Sequence, residues 1–101
     1  MIPEVAILDV IPDKTAEFEA SFQKAQEIIS SMNGWLGHQL QQCLEVLNRY
    51  ILLVRWRHVE DHIIGFRESN DYLEWKKLLH HYYSPFPVVE HYSMKYEKQF
   101  P

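Results

Sequence analysis

The feature that most constrains this chain is a hydrophobic period that switches from two to about 3.6 and back, twice along its length. From Val5 to Ile11 the residues are β-branched and apolar, interrupted by Asp9 and stopped by Pro12-Asp13, the pattern of a strand running into a turn. The spacing then changes, and Phe18, Phe22, Ala25, Ile29 and Met32 fall on one stripe with Ile28 beside it, which predicts an amphipathic helix. Thr15 or Asp13 is the expected cap, Glu17 and Glu19 suit the positive helix end, and Asn33-Gly34 ends the helix.

Trp35 to Leu44 reads as a partly polar strand, with Leu36, His38, Leu40 and Gln42 on one side and Trp35, Gly37, Gln39 and Gln41 on the other. After a turn at Asn48, Tyr50, Leu52, Val54 and Trp56 alternate with Ile51, Leu53, Arg55 and Arg57, giving the strongest strand pattern in the chain. A short helical segment, Glu60 to Phe66, and a second helix from Ser69-Asn70 follow. The apolar stripe of that helix is Tyr72, Trp75, Leu78, Leu79 and Tyr82, and Pro85 and Pro87 close it. Val88 to Tyr96 alternates again as a fourth strand.

Strand, helix, strand, strand, helix, strand is the split βαβ order of an α+β, ferredoxin-like βαββαβ domain with an antiparallel sheet, its helices on one face. At 101 residues the chain is expected to be one domain, 1–101. Its three Trp, six Tyr and five Phe exceed what a one-sided sheet of this size readily hides. If several of Tyr50, Leu52, Val54, Trp56, Tyr92, Met94 and Tyr96 face away from the helices, a second copy packing sheet on sheet is the simple cover, so a homodimer is expected.

A net charge of −4 without a basic run argues against a nucleic-acid surface. The longest apolar run, Ile51-Leu52-Leu53-Val54, is far short of the roughly 20 residues that span a bilayer, so no membrane partner is expected. The lone Cys43 makes no internal disulfide, and Met1-Ile2-Pro3-Glu4 does not open a leader. A cytoplasmic protein is the expectation.

Several stretches carry a closer likeness: Glu17-Phe18-Glu19-Ala20-Ser21-Phe22, Asn48 to Trp56, Gly65-Phe66-Arg67-Glu68-Ser69, Tyr72-Leu73-Glu74-Trp75, and Leu78 to Phe86 leading into Val89-Glu90-His91-Tyr92. Over nearly its whole length the chain resembles the antibiotic biosynthesis monooxygenase domain family. The resemblance implies a dimeric α+β barrel, with a pocket between each sheet and its helices. Relatives of this kind include cofactor-independent oxygenases of aromatic polyketides, quinol oxidases and haem-degrading proteins, and fold alone does not choose among them. The haem-degrading pattern needs an Asn in the first strand, a Trp in the second helical region and an iron-ligating His. Here the first strand, Val5 to Asp9, has no Asn, Phe66 takes the Trp place, and Lys76 falls where the His belongs.

The candidate catalytic residues are His81, His91, Tyr72 and Arg67. A histidine can take a proton from an acidic phenol or orient its oxygen, and the guanidinium of Arg67 gives a donor fork for a carboxylate or phenolate that Tyr72 also contacts. Trp56, Phe66, Trp75 and His80 are the candidate substrate-binding residues, the tryptophans offering a π-surface to a planar molecule. Each has a structural reading as well: Arg67 pairing with Glu68, Tyr72 filling core, Trp56 and Trp75 anchoring core or interface. The adjacent His80 and His81 diverge by about 100° on a helix and make a poor metal clamp, so no metal is expected. Gly34 and Gly37 form no phosphate-cradling loop, so no flavin, nicotinamide or other organic cofactor is expected. The expected activity is cofactor-independent oxidation of a small aromatic, phenolic or quinol-like compound by molecular oxygen. The alternatives are a non-catalytic small-ligand-binding or structural dimer, and haem binding through another geometry.

Overall fold

A computed structural model describes residues 1–99. Its elements are β1 (Ile2–Asp9), α1 (Thr15–Ser30), β2 (Trp35–Gln42), β3 (Arg49–Trp56), α2 (Asn70–Leu79) and β4 (Val89–His91), in the expected order. A 3-10 turn, Pro12–Lys14, precedes α1, a π-helical turn, Asp61–Phe66, precedes α2, and another 3-10 turn, His80–Tyr82, follows it. The strands form one antiparallel sheet in the order β2-β3-β1-β4.

The expected barrel is corrected by this topology. The sheet is open, with β2 and β4 as its two edges, and four strands are too few to close, since even a barrel of eight has an interior only just wide enough for side chains.

Cross-strand register decides which side chains the helices cover. Glu4 lies opposite Val54, Ala6 opposite Leu52 and Leu8 opposite Tyr50, all buried, and with Trp56 these residues meet Phe18, Phe22, Ala25 and Ile29 of α1 and Trp75 and Leu79 of α2. Tyr50, Leu52, Val54 and Trp56 therefore belong to the core and are not among the residues that need a cover on the open face. The uncovered face instead carries the pairs Val5 with Leu53 and Ile7 with Ile51, and Ile7 is 53% exposed. Tyr92, Met94 and Tyr96 are also exposed, but they follow β4, which stops at His91 rather than running to Tyr96.

Two local details depart from simple periodicity. A register shift between Trp35 and Gly37 lets Trp35 and His38 share the helix side of the sheet, where the Trp35 Nε1–H donates to His38 Nδ1 at 3.0 Å; Leu36 is left 51% exposed. The N-terminal position of α1 is Lys14 and no side chain caps it, because Pro12 starts a 3-10 turn that carries the backbone into the helix. Ser69 does cap α2, accepting from the Tyr72 N–H at 3.2 Å. Gly34 has φ +87°, and a Cβ there would run into the Asp61 carboxylate, which accepts from the His58 N–H at 3.1 Å.

Candidate functional site

Between the sheet and the two segments leading through α2 lies a cavity of about 330 Å3. Ala6, Leu8 and Leu52 floor it from the sheet and Ile29 closes it from α1. Phe66, Tyr72, Trp75, Tyr83 and Phe86 supply an aromatic wall. Glu4, His62, Arg67 and His80 are its acidic and basic lining residues. Cavities of this size and apolar character hold small ligands and orient them with a few polar groups.

Strand pairing and a widened helical turn place those polar groups. Glu4 sits on the core side of β1 because it is in phase with Ala6 and Leu8, and His91 lies directly across from it on β4. The turn Asp61–Phe66 sends the Arg67 N–H to the His62 carbonyl, five residues back, at 3.0 Å. Both buried residues of this turn, His62 and Phe66, point toward the sheet. His62 stacks on Trp56, with ring centroids 5.3 Å apart and planes 14° from parallel.

The result is a line of three titratable side chains. Glu4 Oε1 accepts from the Trp56 Nε1–H at 2.8 Å and lies 3.3 Å from His62 Nε2, while His62 Nδ1 is 2.7 Å from His91 Nε2. Glu4 and His62 are 4% and 3% exposed, whereas His91 is only half-buried. Burial pushes the Glu4 carboxyl up from the ordinary 4.5 to about 7, against the opposing pull of the Trp56 hydrogen bond and the Arg67 charge. Burial pulls His62 down to about 3, with Arg67 and then His91 adding to the effect, and burial followed by Arg67 also lowers His91. Near neutral pH the carboxyl thus titrates while both imidazoles are uncharged, each with one donor and one acceptor nitrogen.

Of the residues singled out from sequence, Arg67, Tyr72, Phe66, Trp75 and His80 line the cavity. Arg67 makes no ion pair with Glu68 among the described residues, and its exposed side chain stands at the cavity mouth. His80 begins the turn after α2, with its ring edge-on to Tyr72 and Phe86 at 5.8 and 4.9 Å; burial, then Lys76, lowers its pKa. His91 stands behind His62 rather than in the cavity lining. Trp56 is fully buried and does not line the cavity, which it reaches through Glu4 and through His62, on which it stacks. His81 is exposed, beside Tyr82, and does not join the cluster.

Sequence reasoning missed Glu4 and His62. Starting the first strand at Val5 left Glu4 outside it, although its even spacing with Ala6 and Leu8 marks a carboxylate on a buried face. The four-residue spacing of His62 and Phe66 was the corresponding signal for the second residue. Among the described residues no group of three His, Cys, Asp or Glu side chains is arranged to hold a metal ion, and no helix is long and apolar enough to cross a membrane.

Comparison with known proteins agrees with this architecture. Residues 1–78 match the family model described as antibiotic biosynthesis monooxygenase. The chain is 48% identical over 93 residues to the uncharacterized protein YczJ of Bacillus subtilis, covering 92% of this chain and 98% of that one. A crystal structure of a Bordetella bronchiseptica protein assigned to the antibiotic biosynthesis monooxygenases superposes with a TM-score of 0.89 at 34% identity, covering 94% of this chain and 97% of that chain. SnoaB, a cofactor-independent oxygenase from Streptomyces nogalater, shares the fold with a TM-score of 0.68 at 20% identity, covering 99% and 96% of the two chains. The chain belongs to the antibiotic biosynthesis monooxygenase family.

Proposed function

We propose that the chain is a cofactor-independent monooxygenase acting on a small aromatic, phenolic or quinol-like substrate. The observation that carries this reading is the opening of a buried, titratable carboxyl, Glu4, into an aromatic-walled cavity with a guanidinium at its mouth. An oxygenase of this type needs its substrate as an anion, because the substrate itself supplies the electrons that molecular oxygen accepts. Glu4 is the base: its pKa near 7 leaves much of it ionised at neutral pH and makes it a far stronger base than an ordinary carboxylate. Arg67 faces the charge that appears when the proton leaves, Tyr72 contacts the same oxygen, and Phe66, Trp75 and Tyr83 exclude water and hold the ring. His80 donates to or accepts from the distal end of the substrate.

The uncovered sheet face, with Val5, Ile7, Ile51 and Leu53 side by side, supports association of two copies into a homodimer, and we place the protein in the cytoplasm. Anaerobic loading with a panel of hydroquinones and phenols, followed by oxygen addition, tests the activity. Oxygen uptake matched by oxidised product, and lost in Glu4→Gln, is the expected result. No uptake across the panel while the same compounds bind would replace the oxygenase with a ligand-binding protein.

A further inference from the structure

We infer that Glu4, His62 and His91 form a proton wire from the cavity to solvent, which carries away the proton a phenolic ligand loses on binding. The inference rests on the reading above for the class of ligand, but not on turnover.

Three features of the geometry support it. The inner end, Glu4, lines the cavity and is almost fully buried, so once a ligand fills the cavity a proton delivered to it has no direct route to water through the mouth. The middle group, His62, touches both neighbours through different ring nitrogens, Nε2 at 3.3 Å from Glu4 Oε1 and Nδ1 at 2.7 Å from His91 Nε2. The outer group, His91, is outside the cavity lining and half-exposed on the edge strand. A merely structural polar cluster needs no such gradient from buried to wet.

The transfer balances. The ligand O–H breaks and its proton joins the Glu4 carboxylate. The Glu4 O–H then gives its proton to His62 Nε2 as His62 Nδ1–H gives its own to His91 Nε2, and the other ring nitrogen of His91 releases a proton to solvent. The phenolate is left in the cavity, Glu4 is again a carboxylate, and both imidazoles stay neutral in their other tautomer. The charged and titratable groups facing the wire are Arg67 from the end of the π-helical turn and, across the cavity, Tyr72, His80 and Tyr83, while Trp56 from β3 fixes the carboxylate by its N–H. Arg67 disfavours a positive charge on either imidazole, which favours the tautomer shift over an imidazolium intermediate.

Para-nitrophenol is the probe, because only its phenolate absorbs visible light, and a pH indicator in weakly buffered anaerobic solution reports the released proton. With the intact protein, growth of the phenolate band and indicator acidification are expected together. In His91→Ala both slow by at least about tenfold, and added imidazole restores them; in His62→Phe, checked for folding by urea denaturation, imidazole restores neither. Unchanged release in His91→Ala, a loss that imidazole does not repair, or binding of the probe without ionisation would each overturn the wire. Absence of oxygen uptake with intact, imidazole-rescued proton release would sink the oxygenase reading and leave the wire standing.

Discussion

Replacing Glu4 with Gln is expected to stabilise the protein at alkaline pH, although it alters a buried polar centre. The native structure raises the Glu4 carboxyl from 4.5 to about 7, so folding favours its protonated form. That contribution is fully present below pH 4.5 and is lost as pH rises through 7. At about 1.4 kcal/mol per pKa unit the loss is roughly 3 kcal/mol above pH 8. Glutamine has the same shape, keeps a carbonyl oxygen at the Oε1 position to accept from the Trp56 Nε1–H and from His62 in its Nε2–H tautomer, and carries no charge to desolvate. Urea denaturation of both proteins from pH 4.5 to 8.5 should therefore show little difference at the acid end. The variant should become more stable through pH 5 to 7, with the gap levelling at about 3 kcal/mol above pH 8. His62, whose folded pKa is lowered to about 3, has the opposite slope: its contribution is full above pH 6.5 and is lost as pH falls toward 3. The intact protein should thus have a shallow stability profile across the middle range, and Glu4→Gln should expose the rising limb due to His62. A stability difference that does not vary with pH, or a variant weaker than its parent at pH 8.5, would refute the burial argument.

Trp56→Phe removes the indole donor while keeping an aromatic ring; it should cost about 1–3 kcal/mol and move the base limb of the pH–activity profile upward, since the lost bond now lowers the Glu4 pKa. Gly34→Ala places a Cβ against Asp61 at a backbone angle that disfavours L side chains, and a loss of more than about 1 kcal/mol is expected in urea denaturation. Sedimentation should give a homodimer at micromolar concentration, with Ile7→Lys on the uncovered face shifting it to monomer; a monomeric parent protein would remove the association from the proposal.

The architecture was legible because hydrophobic period survives in single residues. Phe18, Phe22, Ala25 and Ile29 form the buried stripe of α1, and Trp75 and Leu79 anchor α2 as their spacing implied. Which sheet face is covered was not legible from β3 alone, because Tyr50 to Trp56 is apolar on both sides and only pairing with β1 breaks the tie. The β2 bulge inverted the assignment of Trp35 and Leu36, a one-residue slip that a strict alternation cannot register. Phe66, Arg67, Tyr72, Trp75 and His80, which line the cavity, drew notice because they cluster in the chain near α2, whereas Tyr83 and Phe86 of the aromatic wall did not. Glu4 was missed because its meaning comes from partners on β3, the π-helical turn and β4, contacts between residues far apart in sequence.

That long-range construction bears on how the protein is made. β1 lies inside the sheet, between β3 and β4, so a strand synthesised early cannot complete its pairing until the last strand has left the ribosome. Closing so large a loop has an entropic cost that only the finished contacts offset. Glu4 therefore waits as an exposed, ordinary carboxylate on the nascent chain. It becomes an unusual one only when the sheet and its helical cover bury it, so the chemistry of the cavity is a property of the finished fold.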